Sequence, residues 1–412
     1  MQNRRFVLMA MNKNNYGMKT IGIAALKSLI GNGLRTWLTV FVLSVAFILI
    51  LVMQGLMKNW SEQAITDTIK WEIADGQYWH ARYDPYDPFS LDSSIAQIPA
   101  AFRQAMEKGY VEPLLLTQAS INPNGRMMGV QLRGIRPGQQ AIAIPTHLLD
   151  DAEVQKKFGA IPVVIGSAMA EKSNLKLHDI VTLRWRDKYG AFEARDVCVV
   201  EIFRTTVPTV DLGIVWLALD TLQAMTLHQN GANVLLKLPE SPVQELPHWT
   251  YKSVETLTES TTKMVKTKSA GTSVFYLVFL LLAMLAIFDT QTLSIFRRQR
   301  EIGTLIAMGM TQGQVQWMFT LEGTLNAVLA FALGALWGTP LIWYLSHHGI
   351  SFNMNASDLG VSMADRLYTT ISVELILSTM CTLLIITAAV SFLPARKISK
   401  MIPTDAIRGK TI

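Results

Sequence analysis

Three observations predict an α-helical membrane protein with four transmembrane helices and a large mixed α/β extracytoplasmic domain between the first and second. Four apolar runs, 37–57, 271–296, 317–345 and 371–393, are each long enough to cross a hydrocarbon core about 30 Å thick at about 1.5 Å per residue. A 213-residue segment, 58–270, separates the first run from the rest and carries strand and helix periodicities. Basic residues collect on one set of flanks: 1–36 holds Arg4, Arg5, Lys13, Lys19, Lys27 and Arg35 with no acid, whereas 58–270 has 22 basic against 24 acidic residues. Lys and Arg accumulate on the cytoplasmic side, so both termini are expected there. The net charge of +6 then reports topology, which argues against a nucleic-acid reading.

Within 1–36, Ile21, Ala25, Leu26 and Leu29 share one helical face before Gly31 and Gly33 break the pattern. Two readings fit: an amphipathic helix on the inner membrane surface, or a plain extension of the first span. That span, 37–57, is too long for a signal-peptide core and is expected to stay as an anchor. In the domain that follows, 130–135 and 181–186 alternate apolar and polar residues as half-buried strands do, and 162–165, 197–203 and 234–238 are denser apolar runs. Helical patterns fall at 94–108, 167–175 and 220–228. Residues 253–270 lack Pro and, until Gly271, Gly, and run straight into the second span, so a continuous helix would form a stalk.

Chemistry-bearing motifs are sparse. The stretch Arg82 to Asp92, with Asp-Pro repeated, reads as turns, because the glycine and terminal Glu of a calcium loop are missing. Nearby, Tyr78, Trp79, Tyr83, Tyr86 and Phe89 form an aromatic group suited to local packing or a membrane edge. The only near match to a phosphate-cradling loop, 404–411, has Thr404 where Gly is needed and no strand ahead of it. His347 and His348 are adjacent, without the spacing that sets two zinc ligands on one helix face, and are expected in the loop 346–370. Cys198 and Cys381 lie in an external and a spanning segment and cannot pair within the chain. No catalytic residue, metal site or cofactor site is expected. Three acids lie inside spans: Glu322 and Glu374 near an interface, and Asp289 deeper, where a helix-to-helix hydrogen bond or ion pair is favoured over a proton-coupled role.

Segment 297–316 is short, charged and apolar by turns. Arg297, Arg298 and Arg300 close the second span, Ile302, Leu305 and Ile306 share a helical face, Gly309 ends the run and Thr311 is placed to cap the third span. Such a helix should lie across the membrane surface with its stripe against its own helices or a partner.

The run RRQREIGTLIAMGMTQGQVQWMFTLEG, 297–323, resembles the coupling segment of FtsX-like, MacB-type permeases of mechanotransmission ABC transporters. Arg300-Glu301-Ile302-Gly303, then Ala307-Met308-Gly309 and Glu322-Gly323, carry the likeness, and the tail LPARKISKMIPTDAIR, 393–408, is similar to that family's ending. VQLRGIRPGQQ and PVVIGSAMAEKSNLKLHDIVTLRW are most similar to the lipoprotein-releasing LolC and LolE permeases, with Met169 and His178 as departures, and in AIFDTQTLSIF Asp289 departs from the Asn those proteins usually carry. The resemblance implies a non-catalytic permease subunit in the inner membrane, pairing with a second permease and with ABC ATPase subunits that hold the ATP and magnesium. Its ATPase contact would comprise Arg300, Glu301, Ile302, Gly303, Leu305, Ala307 and Gly309. Lipoprotein release, with a periplasmic carrier as a further partner, is the implied function; export of a peptide or small amphiphile, or regulation of a cell-wall hydrolase, are the alternatives.

Overall fold

Helix α1, Leu34–Thr68, is the first element of a computed structural model that describes residues 34–150, 159–239, 241–242, 247–351 and 366–399. The amphipathic helix expected ahead of residue 34 and the tail beyond residue 399 lie outside the described residues. At its far end α1 widens into a π-helical turn, Ile69–Ile73. The chain divides into a helical unit of Met1–Asn59, Lys268–Ile350 and Leu367–Ile412, and an α/β unit of Trp60–Thr267 and Ser351–Arg366.

In the α/β unit the strands are β1 Gln77–His80, β2 Ala96–Gln97, β3 Val111–Ile121, β4 Met128–Ile135, β5 Ile161–Gly166, β6 Ile180–Arg186, β7 Phe192–Phe203, β8 Ile214–Ala218, β9 Gly231–Ala232, β10 Val234–Lys237 and β11 Trp249–Lys252. Between them lie α2 Ser90–Ser93, α3 Ala100–Glu107, α4 Ser167–Ser173, α5 Pro208–Asp211 and α6 Leu219–Thr226. Nine strands form one sheet in the order β11-β1-β10-β3-β4-β8-β5-β7-β6, and β6 pairs back onto β3. The strands from β3 to β6 therefore close into a barrel, which leaves no free edge among them.

Side-chain alternation follows from that closure. On β6, Val181, Leu183 and Trp185 point into the barrel while Ile180, Thr182, Arg184 and Arg186 face out. On β8, Val215 and Leu217 join the same interior, but Ile214 and Trp216 pack into a second core outside it with Val164, Val207 and Leu236. Strands buried on both faces read as continuous apolar runs, which is why β5 looked dense in sequence and β6 looked alternating.

Strand β3 is the hinge of this topology and had no place among the expected strands, because Pro113 interrupts it. Along one edge it pairs first with β10, from Val111 to Leu114, and later with β6, from Ala119 to Ile121. At the changeover, buried Asn233 stands in for a strand: its Oδ1 accepts from Leu116 N at 2.7 Å and its Nδ2 donates to Leu116 O at 2.8 Å. Leu114 O faces this edge, accepting from Asn233 N, so Pro113 turns its missing N–H to the other edge, where β4 pairs only from Leu115 onward. The helical pattern expected over 94–108 resolves into β2 and the shorter α3, and α4 and α6 fall where expected. Asp211 of α5 accepts from Ala168 N at 3.0 Å and Met169 N at 2.9 Å, capping α4 from a distance.

Helix α7, Val254–Arg297, follows β11, and then come α8 Gln299–Ala307, α9 Gln312–His348 and α10 Val373–Ser399. Helices α1, α7, α9 and α10 are long and apolar enough to cross a membrane, matching the four expected runs. Boundaries differ: α1 runs on to Thr68, past the expected 57, and α9 begins at Gln312, ahead of the expected 317. His347 and His348 form the last turn of α9 rather than a loop, their rings against Trp343 and Tyr344. Helix α10 continues through Pro394, expected to end the span, to Ser399.

Half of α1's most apolar window is buried but under a fifth of α7's, so α1 is the central helix of the helical unit. Small residues let it in: a Cβ on Gly338 would lie 2.7 Å from Ile48 Cγ1, and one on Gly334 would lie 3.2 Å from Phe47 Cδ1. This is the small-residue spacing that brings membrane helices close, and Trp337 Nε1 adds a hydrogen bond to Ser44 Oγ at 3.2 Å.

Replacing Gly338 with Leu is expected to lower the thermal midpoint of the full chain in detergent, by the equivalent of about 1–3 kcal/mol of overpacking. Combining it with Ile48→Ala should recover part of that loss. A second expectation concerns pH. Burial, reinforced by Lys188, holds the His228 imidazole below its ordinary value, and burial with Arg82 and His248 does the same for His80. The unfolded chain therefore takes up protons first, so the stability carried by these neutral rings is present above about pH 6.5 and is lost as pH falls through their folded values. Burial raises the Asp211 carboxyl against the backbone bonds from Met169 and Ala168, so it acts oppositely, gaining stability as pH falls through its raised value. Thermal melts of His80→Gln/His228→Gln should show a smaller loss between pH 7 and 5 than the parent.

Candidate coupling site

The site is a helical turn-around at the end of α7. Arg298 leaves helical geometry with φ −100° and ψ 12°, α8 runs for nine residues, and the chain reverses through Gly309 at φ +101°. A side chain would strain that backbone, and glycine removes the penalty. Thr311 then opens α9 with a capping box: its Oγ1 accepts from Gln314 N at 3.3 Å and Gln314 Oε1 accepts from Thr311 N at 2.9 Å.

One face of α8 is buried. Ile302 packs with Ile295 of α7, Val315, Met318 and Phe319 of α9 and Ala395 of α10, and Leu305 and Ile306 lie against the same cluster. The spacing of three and four residues puts these on one side. Arg300, Glu301, Thr304, Ala307 and Met308 are left exposed on the other.

Arg298 binds the turn together. Its Nε donates to Glu301 Oε2 at 3.0 Å, its Nη1 donates to Glu322 Oε2 at 3.0 Å, and its guanidinium stands 5.1 Å from the Phe319 ring centre. The two carboxylates differ in weight. Glu301 has 68% of its side chain exposed, and such a pair contributes about 0–1 kcal/mol; Glu322 has 4% exposed, and stripping a buried acid of its partner costs about 3–5 kcal/mol. Glu322 therefore anchors Arg298, and Arg298 presents Glu301. Next to it, Gly323 lets α10 approach: a Cβ there would run into the Ser391 side chain and lie 3.0 Å from Gln291 Nε2.

The expected contact residues therefore divide. Ile302 and Gly303 are buried and Leu305 is half-buried, so this apolar stripe seats the helix on its own bundle, leaving Arg300, Glu301, Ala307 and Gly309 outward. Of the three acids expected inside spans, Glu322 forms the ion pair. Asp289, for which a helix-to-helix partner was favoured, is exposed on α7, and Glu374 is exposed in the first turn of α10. Arg298 was expected only to close the second span with Arg297 and Arg300, and Phe319 had no assigned role. Their signal is a spanning Glu and a boundary Arg 24 residues apart, a separation that only a folded hairpin makes meaningful. Among the described residues, no group of three His, Cys, Asp or Glu is placed to hold a metal.

Residues 273–403 match the family described as FtsX-like permease C-terminal, a region running from within α7 through α8 and α9 to the end of α10. The match supports the FtsX/MacB-type permease family and, with the four apolar helices, a membrane protein that serves as an ABC-transporter-type permease subunit. No curated protein matches the chain.

Arg298→Ala is expected to destabilise the full chain by up to about 3–5 kcal/mol, because the buried Glu322 carboxylate loses its guanidinium partner. Arg298→Ala/Glu322→Gln should be closer to the parent, since a neutral amide tolerates burial better. Detergent-solubilised melts of the two variants would measure the difference.

Proposed function

We propose that this chain is the permease subunit of a mechanotransmission-type ABC transporter that releases lipoproteins from the inner membrane. One observation carries the reading: a short helix whose inner face is bolted to its own bundle presents a charged outer face, Arg300 and Glu301, directly at the end of the 44-residue helix α7. A separate ATPase, holding ATP and magnesium, would grip that face, and its closure would displace α8.

Because Ile302 and the Arg298–Glu322 pair tie α8 to α7, α9 and α10, displacement is passed to the helices instead of being absorbed by a loose loop. Helix α7 is about 66 Å long at 1.5 Å per residue and shares its residues between the helical and α/β units, so it is a stiff carrier of that motion. The chain is proposed to be non-catalytic, working with a second permease and, for a lipoprotein client, a periplasmic carrier. Flank charges favour both termini in the cytoplasm and the α/β unit in the periplasm. The lipoprotein client rests on the motif likeness in 130–140 and 162–185.

Glu301→Lys reverses the exposed charge while leaving the Glu322 anchor in place. Co-purification of the chain from its own membranes should recover a nucleotide-binding subunit with the parent and lose it with the variant, and lipoproteins should accumulate in the inner membrane. Recovery of that subunit with Glu301→Lys, or of none with the parent, would sink the coupling assignment.

A further inference from the structure

A cleft of about 1120 Å³ opens in the α/β unit, and the coupling mechanism does not use it. Its floor is a face of the sheet: Trp79 of β1, Thr250 and Lys252 of β11 and Arg133 of β4. The π-helical turn carrying Glu72 makes one wall, and residues 256–264 of α7 contribute to another. We propose that this cleft binds an extended peptide segment of the client, seating an apolar side chain on the Trp79–Tyr83 pair and its backbone along the polar walls.

Size argues first. The volume is at the upper end of the range for ligand pockets, about 300–1,000 Å³, and the cleft opens to solvent, a shape that a chain segment can enter and leave. Charge argues next. Glu72 is already engaged, by Arg133 at 3.6 Å and by the Thr209 hydroxyl at 2.5 Å, and Glu259 is engaged by Lys263 at 2.7 Å. These two carboxylates are thus satisfied internally, while Arg82, Asp84 and Lys252 also line the cleft; beside them stand the hydroxyls of Thr250, Ser260 and Thr261 and the Nε2 of Gln131, whose Oε1 accepts from Arg133 Nε at 2.9 Å, and such groups pair with the donors and acceptors of a peptide backbone.

The aromatic platform is held ready. Gln77 Oε1 takes the Trp79 indole N–H at 2.7 Å, Tyr83 meets the ring edge-on at 5.1 Å, and Lys252 Nζ stands 5.9 Å from its centre. A ring fixed before binding costs little entropy when a side chain lands on it. Strand β11, which supplies two floor residues, is also the last strand of its sheet, and extended peptides add to such edges. Since α7 forms part of the wall, an occupant touches the same helix that the coupling site moves.

This deepens the permease reading by naming the part of the client that is held, and it can be tested apart from that reading. The full chain in nanodiscs, without ATPase or nucleotide, would be titrated with a fluorescein-labelled, uncharged peptide containing one Leu and one Phe, read by anisotropy. Saturable binding is expected, weakened about tenfold or more by Trp79→Ala, as for loss of a central aromatic anchor. Ser260→Trp, which fills the cleft from an exposed position on α7, should abolish it without disturbing the fold, and unlabelled peptide should compete where chitotetraose does not. Glu301→Lys should bind the peptide as the parent does, so loss of partner capture and loss of peptide binding fail separately. Absence of binding by the parent, equal binding by Trp79→Ala and Ser260→Trp, or displacement by the oligosaccharide alone would overturn the proposal.

Discussion

A guanidinium placed between two carboxylates of unequal burial organises the membrane half of this protein. Glu322 is nearly sealed inside the helical unit, where an unpaired charge is prohibitively unfavourable, so the fold must deliver a cation to it. Arg298 is delivered by ending α7 at that level, and once its Nη1 is committed to Glu322 its Nε points at Glu301. The start of α8 is thus set by an interaction with α9, and the capping box at Thr311 and the reversal at Gly309 set its end. A helix of nine residues has little stability alone; these ties and the Ile302 cluster make it a fixed part of the bundle.

A different constraint governs the α/β unit, where backbone groups at strand edges must be paired or exposed. Barrel closure by β3 and β6 removes edges from six strands, and β3 reaches beyond the barrel to carry β10, β1 and β11 as an extension. The changeover would leave Leu116 without backbone partners, and Asn233 supplies both. The extension gives the outer sheet face its breadth and so places Trp79, Arg133 and Thr250 around one cleft. Aromatic residues that lie together in sequence separate here: Tyr78 is buried against Phe102, Trp79 and Tyr83 face the cleft, and Tyr86 and Phe89 remain exposed. Successive strand residues point to opposite faces, which splits Tyr78 from Trp79, while Tyr83, Tyr86 and Phe89 lie beyond the end of β1.

Much of this was legible from residue order. The spans were, because a backbone in lipid must satisfy its own hydrogen bonds and only long apolar helices do so here. The strands at 130–135 and 181–186 were, since period-two alternation survives wherever one face is wet. Asp84 and Asp87 accept from Tyr86 N and Phe89 N at 2.9 Å, the turns that the Asp-Pro repeats suggested. Strand β3 was hidden by Pro113, whose cost depends on which edge is paired, and the histidine pair looked like loop because stacking on Trp343 and Tyr344 has no sequence pattern.

The amino-acid order alone determined the class of molecule: four apolar helices, one large α/β insertion, and an amphipathic segment ending at Gly309. These follow from local periodicity and from the solvent each segment can tolerate. Only the tertiary structure decided which face of α8 is available, which of the three spanning acids is neutralised, and that part of α7 walls a cleft with β1 and β11. Each of those depends on a partner brought from tens to more than a hundred residues away, by helix reversal or sheet closure, and burial is set by that partner rather than by the residue itself.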